Sequence, residues 1–198
     1  MELCAFFIDD SRWSPGIGDP TPMGWITVLA YLAAAVLCAR AGRAEQRSEE
    51  PARRVVLFWA LLTAGMVALG INKQLDLQSL LTQIGRDLAQ RDGWYEQRGG
   101  VQKLFILALG VLAVGSGAAM LLWLRRYLRE LWLAILGGLA IASFVVVRAS
   151  SFHKVDSLLG TYVGFVKMNW VLELGGIALV AWGAWRAPRA RAWHRAPR

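Results

Sequence analysis

A histidine and an aspartate three positions apart, His153 and Asp156, are the clearest candidates for acid–base chemistry in this sequence. If the stretch is helical, both side chains share one face, and the carboxylate can orient and polarise the imidazole for general-base catalysis. Ser150 or Ser151 would then be a candidate nucleophile. The alternative is that all of these are ordinary loop residues.

Glu173 is a carboxylate inside an apolar segment. It lies about five residues into that segment, roughly 7–8 Å along a helix axis, where an unpaired charge costs a few kcal/mol. It should therefore face the other helices and pair with a cation, and Asn169, one turn earlier, shares its face. The candidate cations are Lys73, Lys103, Arg148 and Lys167. The pair would either lock two helices together or make Glu173 a ligand-binding, proton-carrying or catalytic group. Misplaced segment ends would instead leave it in water.

Three basic residues, Lys73, Arg98 and Arg148, follow or precede different apolar segments on one side of the predicted membrane. Together they could hold a phosphate or carboxylate, because arginine binds such groups in a bidentate manner. Asp76 and Tyr95 are predicted to complete this ligand-binding set. A lipid headgroup is the natural anion at that depth, and the alternative is that the basic side chains snorkel to the membrane surface.

No motif identifies a cofactor, which stays unknown. The sequence contains no Walker loop, no Rossmann fingerprint and no HExxH, and no histidine lies in an apolar segment to ligate haem. Oxygen ligands for a hard ion could come from Asp9, Asp10, Asp19 and Asp76, but nothing in their spacing requires one. A zinc site normally uses more nitrogen or sulfur ligands than His153 alone provides, so we predict no metal site.

The composition indicates the environment of these residues. The chain has 198 residues, of which 56% are hydrophobic and only 18% are charged, against about 25% charged in soluble domains. Mean hydropathy is +0.41. These values exclude a disordered chain, a coiled coil and most soluble folds, and predict an integral membrane protein. The net charge of +8 belongs to loops between apolar segments, so we expect no nucleic-acid partner.

Five apolar segments are long enough, or nearly so, to span a bilayer as helices. The prediction is an all-α integral membrane bundle in a single domain, followed by a basic cytoplasmic tail at 186–198. The predicted spans are 23–39, 55–71, 101–124, 131–147 and 168–185.

Arginine placement predicts the orientation of the bundle. Thirteen of the 22 basic residues, with only four acidic ones, lie in 40–54, 125–130 and 186–198. Positive loops stay in the cytoplasm. The N-terminus is therefore expected outside and the C-terminus inside, an arrangement that five spans satisfy.

Two further patterns concern packing. Apolar residues at helical spacing from Leu77 to Leu88 predict an amphipathic helix on the outer face, between the second and third spans. Small residues let membrane helices approach closely, so we expect the third to fifth spans to pack into one tight bundle. The glycines concerned are Gly110, Gly115 and Gly117 in the third, Gly137 and Gly138 in the fourth, and Gly175 and Gly176 in the fifth.

Three polar stretches together resemble a family of small bacterial inner-membrane proteins with no assigned activity. They are Asn-Lys-Gln-Leu-Asp-Leu-Gln at 72–78, Gly-Trp-Tyr at 93–95 followed by Arg98, and Arg-Ala-Ser-Ser-Phe-His at 148–153 followed by Asp156. The resemblance covers roughly residues 20 to 185. It implies a bacterial inner (plasma) membrane and no particular reaction.

Three classes of function remain open. The first is a membrane-embedded enzyme or binder that takes a lipid-like anionic substrate at the outer leaflet. The second is a non-catalytic subunit or assembly factor, with another membrane protein as partner. The third, a small transporter, is disfavoured because the sequence lacks the internal repeats of many transporter folds. Whether the protein is an enzyme is left open.

Overall fold

The computed structural model describes residues 17–76, 80, 83–85, 87–88, 91, 98–149, 162–163 and 166–195. Its long helices are α1 (Pro22–Gln46), α2 (Arg53–Leu75), α3 (Arg98–Trp123), α4 (Leu128–Ala149) and α5 (Met168–Arg195). Two short strands, β1 (Tyr162–Val163) and β2 (Val166–Lys167), pair antiparallel just before α5. The described chain is thus almost entirely helical, as the sequence predicts.

Three helices of the described chain are long and apolar enough to cross a membrane: Pro22–Gln46, Arg53–Leu75 and Leu128–Arg148. A shorter apolar helix covers Leu107–Trp123. These helices indicate a membrane protein built as a helical bundle. The helix α5 is longer than these three helices but is not one of them. It carries Glu173 near its start and arginines in its second half.

Capping explains where α1 and α2 begin and end. Thr21 precedes Pro22, and its hydroxyl accepts a hydrogen bond from the Gly24 amide at 3.0 Å, the usual way to satisfy a free N–H at a helix start. At the other end, the Glu45 carboxylate accepts from the Ala52 amide at 2.9 Å and so joins the end of α1 to the beginning of α2. The helix α2 ends at Asp76, whose left-handed backbone (φ 45°) stops the helix.

The helix α1 lies at the centre of the described bundle, packed against both α2 and α5, and α5 also packs against α4. Glycines allow the α4–α5 approach. A Cβ atom on Gly137 would meet the Gly176 carbonyl oxygen and the Val180 nitrogen at 2.7 Å each. A Cβ atom on Gly183 would meet the Ala134 nitrogen at 2.7 Å. The sequence prediction of close packing between the fourth and fifth spans is therefore confirmed.

The prediction that the third span joins this tight packing is wrong. A Cβ atom on Gly110 or Gly115 of α3 would meet no other atom within 4 Å, and one on Gly117 would approach only a Leu139 methyl group, at 3.3 Å. Val114 is 75% exposed. Small residues permit two helices to approach closely, but they do not determine which helix is the partner. In this bundle α1, and not α3, packs beside α5.

The predicted amphipathic helix is described only in part. Residues 80, 83–85, 87–88 and 91 are helical, and Ile84 and Leu88 are about half exposed. Leu77 and Leu81 lie outside the described residues, so the amphipathic pattern stays a prediction. At the C-terminal end, α5 continues past Trp185 and through Pro188 to Arg195, so most of the predicted basic tail extends the last helix.

Candidate functional site

Glu173 lies at the centre of a buried polar cluster that joins α1, α2 and α5. Only 4% of the residue is exposed. The Tyr31 hydroxyl donates a hydrogen bond to Glu173 Oε1, and Lys73 Nζ donates one to Oε2, each at 3.1 Å. The expectation that Glu173 faces the bundle and pairs with a cation is thus confirmed, and Lys73 is that cation.

Close packing of α1 and α2 brings the partners together. Gly70, one turn before Lys73, lies against Tyr31, and a Cβ atom there would meet Tyr31 Cβ at 3.3 Å. The Lys73 side chain is 11% exposed. Burying two charges is costly, and mutual attraction compensates only when each charge keeps its partner. The Tyr31 hydroxyl satisfies the carboxylate oxygen that Lys73 does not reach.

Asp19 places a second carboxylate beside Lys73. Its Oδ2 lies 3.6 Å from Lys73 Nζ, a longer ion pair than the one with Glu173, and its side chain is 25% exposed. The other oxygen, Oδ1, accepts from the Thr21 hydroxyl at 2.6 Å. Partial burial raises the pKa of Asp19, but the Thr21 hydrogen bonds and the Lys73 charge outweigh it and hold that pKa below its ordinary value of 3.8.

The segment that carries Asp19 is attached to the end of α2. The Gly18 amide donates to the Gln74 carbonyl at 2.6 Å. A side chain at position 18 would not fit, because its Cβ atom would meet Asp76 Cβ at 2.8 Å and the Gln74 carbonyl oxygen at 3.0 Å. This contact fixes Asp19 in reach of Lys73 while leaving its carboxylate partly open to water.

Two amide side chains on the helices that carry Lys73 and Glu173 have unused hydrogen-bonding capacity. Gln74 follows Lys73 on α2, and both atoms of its amide group are buried without a partner in the described chain. Asn169 lies one turn before Glu173 on α5, and its Oδ1 is likewise buried and unpartnered. Buried polar groups are nearly always hydrogen-bonded, and leaving one unsatisfied costs about 1–3 kcal/mol. These two side chains therefore leave at least one donor and two acceptors unused at this end of α2 and α5.

The structure brings together four of the predicted site residues at one end of the bundle. Lys73 and Glu173 are paired, and Asp76 ends α2 next to Gly18. Arg148 lies in the last turn of α4. The contact between Lys73 and Glu173 joins the ends of α2 and α5, and the convergence of the other connections on a polar pocket stays a prediction.

The side chains of the other predicted site residues lie outside the described part of the chain. Arg98 begins α3, but its side chain is outside the described part of the chain, as are Tyr95, His153 and Asp156. The acid–base pair stays a prediction. Within the described residues, no group of three or more histidine, cysteine, aspartate or glutamate side chains could hold a metal ion.

Tyr31 and Asp19 are the cluster members that sequence reasoning did not select. Tyr31 looks like any aromatic residue of an apolar segment, but it falls on one helical stripe with Gly24, Thr27 and Ala34, all buried. A polar tyrosine on a stripe of small residues is a usable signal for a close helix contact. For Asp19, the sequence indicates only a possible oxygen ligand for an ion.

Searches for similar proteins give no family to which the chain can be assigned. No protein-family model, no curated protein and no solved structure matches it.

Proposed function

We propose that the protein crosses the membrane five times, with its N-terminus outside, and binds a lipid-like molecule with an anionic headgroup at its outer end. The observation that carries the proposal is the unused hydrogen-bonding capacity of Gln74 and Asn169, which lie on the two helices that carry the Lys73–Glu173 pair. The orientation rests on the arginine-rich loops, which lie at the opposite end of the bundle from this cluster.

Lys73 can bind an anion without losing its buried partner. Its ammonium group has three donors, and Glu173 Oε2 accepts one of them at 3.1 Å. The contact with Asp19 is longer, at 3.6 Å, and Asp19 is the more exposed of the two carboxylates. An incoming phosphate or carboxylate would therefore replace Asp19 beside Lys73, while Glu173 would keep the ammonium group in position.

The side-chain amides of Gln74 and Asn169 indicate which further groups the headgroup would carry. The Gln74 amide nitrogen can donate to a second oxygen of the anion, and Asn169 Oδ1 can accept from a hydroxyl group. Arg148 adds positive charge at the same end. The best-fitting ligand is thus a headgroup with anionic oxygens and a neighbouring hydroxyl, attached to an apolar chain that stays in the bilayer. In this proposal His153 and Asp156 supply any acid–base step.

Native mass spectrometry of the protein, extracted gently from its own membrane, tests the proposal. The variant Asn169→Leu removes the unpartnered acceptor at similar volume, and Thr63→Val is the control, because the Thr63 hydroxyl only donates to the Trp59 carbonyl within α2. We expect a lipid-sized adduct on the wild type and on Thr63→Val, and about a tenfold loss of it on Asn169→Leu, the effect of one hydrogen bond. A wild-type protein without an adduct, or equal adducts on both variants, would contradict the proposal.

A second candidate function, a subunit of a larger membrane complex, is favoured by α3. This helix packs only weakly on the rest of the described bundle, and apolar side chains are exposed along one of its faces, at Leu107, Val111 and Val114. Cross-linking from cysteines introduced at Val111 and Val114 tests it. A specific protein adduct at these positions, absent when the cysteine is placed at exposed Leu29 of α1, would favour this function. Lipid contact alone would count against it.

A further inference from the structure

A groove lies at the arginine-rich end of the bundle, far along α2 from the cluster around Glu173. Its volume is about 320 Å³, and it is lined by Gln46, Pro51, Arg53, Val56, Leu57 and Ala60. We refer to it as the Arg53 groove. It shares no residue with the proposed outer site.

The groove changes from polar to apolar along the helix axis. Arg53, Leu57 and Ala60 fall on one face of α2 at helical spacing. The rise per residue places Ala60 about 10 Å deeper than Arg53. Leu57 is 49% exposed, so the apolar wall is free to contact another molecule. A cation at the helix end above an apolar wall matches the order of headgroup and acyl chain in a bilayer leaflet.

Arg53 is the cation available to this groove. Its neighbour Arg54 is directed elsewhere, because Arg54 Nη1 donates to the Trp123 carbonyl at 3.1 Å. None of the residues that line the groove is acidic. Gln46, the last residue of α1, adds an amide donor at the polar end. The charge of the groove is thus complementary to an anion.

We propose that the Arg53 groove binds one anionic phospholipid from the leaflet at the arginine-rich end of the bundle. The phosphate lies on Arg53 and Gln46, and one acyl chain lies along Val56, Leu57 and Ala60. Arginine suits this role, since its planar guanidinium group can bind two phosphate oxygens at once. The site is independent of the outer-face proposal, because the two use different residues at opposite ends of α2.

Lipid titration of the purified full-length protein in detergent, followed by native mass spectrometry, tests this site. The probes are phosphatidylglycerol and phosphatidylcholine with identical acyl chains. The variant Arg53→Gln removes the proposed phosphate ligand. The control Arg47→Gln removes the same charge from an exposed position just after α1, outside the groove. The variant Ala60→Trp fills the apolar part at an exposed position.

We expect one phosphatidylglycerol molecule to bind the wild type with at least about tenfold preference over phosphatidylcholine, as for a hydrogen bond to a charged group. Arg53→Gln and Ala60→Trp should each remove this preference, and Arg47→Gln should retain it. Equal losses in Arg53→Gln and Arg47→Gln would overturn the proposal in favour of a general surface potential. Equal binding of both lipids to the wild type, or retention of the preference in Ala60→Trp, would also overturn it.

Discussion

Lys73 Nζ and Glu173 Oε2 lie 3.1 Å apart and belong to residues separated by 100 positions in the sequence. The contact joins the last turn of α2 to the first turns of α5, with the Tyr31 hydroxyl of α1 on the other carboxylate oxygen. The Glu173 carboxylate therefore connects three helices by hydrogen bonds. This arrangement and the packing around it have consequences that can be measured.

Removing either charge of this pair should destabilise the bundle strongly. Lys73→Met leaves Glu173 as a buried charge without its cation, and we expect a loss of about 3–5 kcal/mol in the free energy of unfolding. The double variant Lys73→Met/Glu173→Met should recover most of that loss, because apolar residues of similar volume replace a buried pair at little cost. Denaturant unfolding in detergent measures both, with Glu49→Gln in the exposed α1–α2 loop as the control. Additive effects of the two single changes would contradict a direct pair.

The pH dependence of stability should reveal Asp19. Its folded-state pKa lies below the ordinary value of 3.8, so the unfolded chain takes up a proton more readily than the folded protein does. The stability that Asp19 contributes is complete above the unfolded-state pKa and is lost as the pH falls through the folded-state pKa. We therefore expect the melting temperature of the wild type to fall more steeply than that of Asp19→Asn on acidification below about pH 4. Parallel curves for the two proteins would refute a role for this carboxylate beside Lys73.

Two glycine-to-alanine changes should have opposite effects. Gly137→Ala places a Cβ atom 2.7 Å from backbone atoms of α5, so α4 and α5 must separate, at a cost of about 1–3 kcal/mol. Gly115→Ala on α3 meets nothing within 4 Å and should stabilise the helix by about 0.5–1 kcal/mol. Thermal unfolding of both variants checks the packing. A destabilising Gly115→Ala would indicate that a partner helix lies against α3 in the membrane.

Reporter fusions can test the proposed orientation. Alkaline phosphatase is active only outside the cytoplasm, so a fusion after Asp76 should be active and fusions after Glu50 or Arg126 inactive. The positive-inside rule is the reason, since the arginines concentrate around Glu50 and Arg126. The inverse pattern of activity would reverse the orientation and move the cluster around Glu173 to the cytoplasmic face.

The sequence alone predicted that Glu173 would be buried and paired, because an isolated carboxylate in an apolar helix is too costly. It could not choose Lys73 from four candidate cations, since that choice depends on how far α2 and α5 are shifted along each other. The close approach of Gly70 to Tyr31 fixes the position of α2 against α1, and Tyr31 in turn contacts Glu173 of α5. These residues are distant from each other in the sequence. The packing of α3 was predicted wrongly for a related reason. Glycine content shows where helices can approach, whereas the partner is decided by which other faces compete for the same space.

The position of Asp19 has a consequence for how the protein is made. Synthesis proceeds from the N-terminus at about 5–20 residues per second, so Lys73 emerges about 5–20 seconds before Glu173, given the 100 positions between them. During that interval Asp19, which precedes α1 and contacts the same ammonium group, is already synthesised. The chain therefore carries an early counter-ion that can accompany Lys73 into the bilayer before α5 arrives. When Glu173 then makes the shorter contact, at 3.1 Å, Asp19 keeps the longer one, at 3.6 Å.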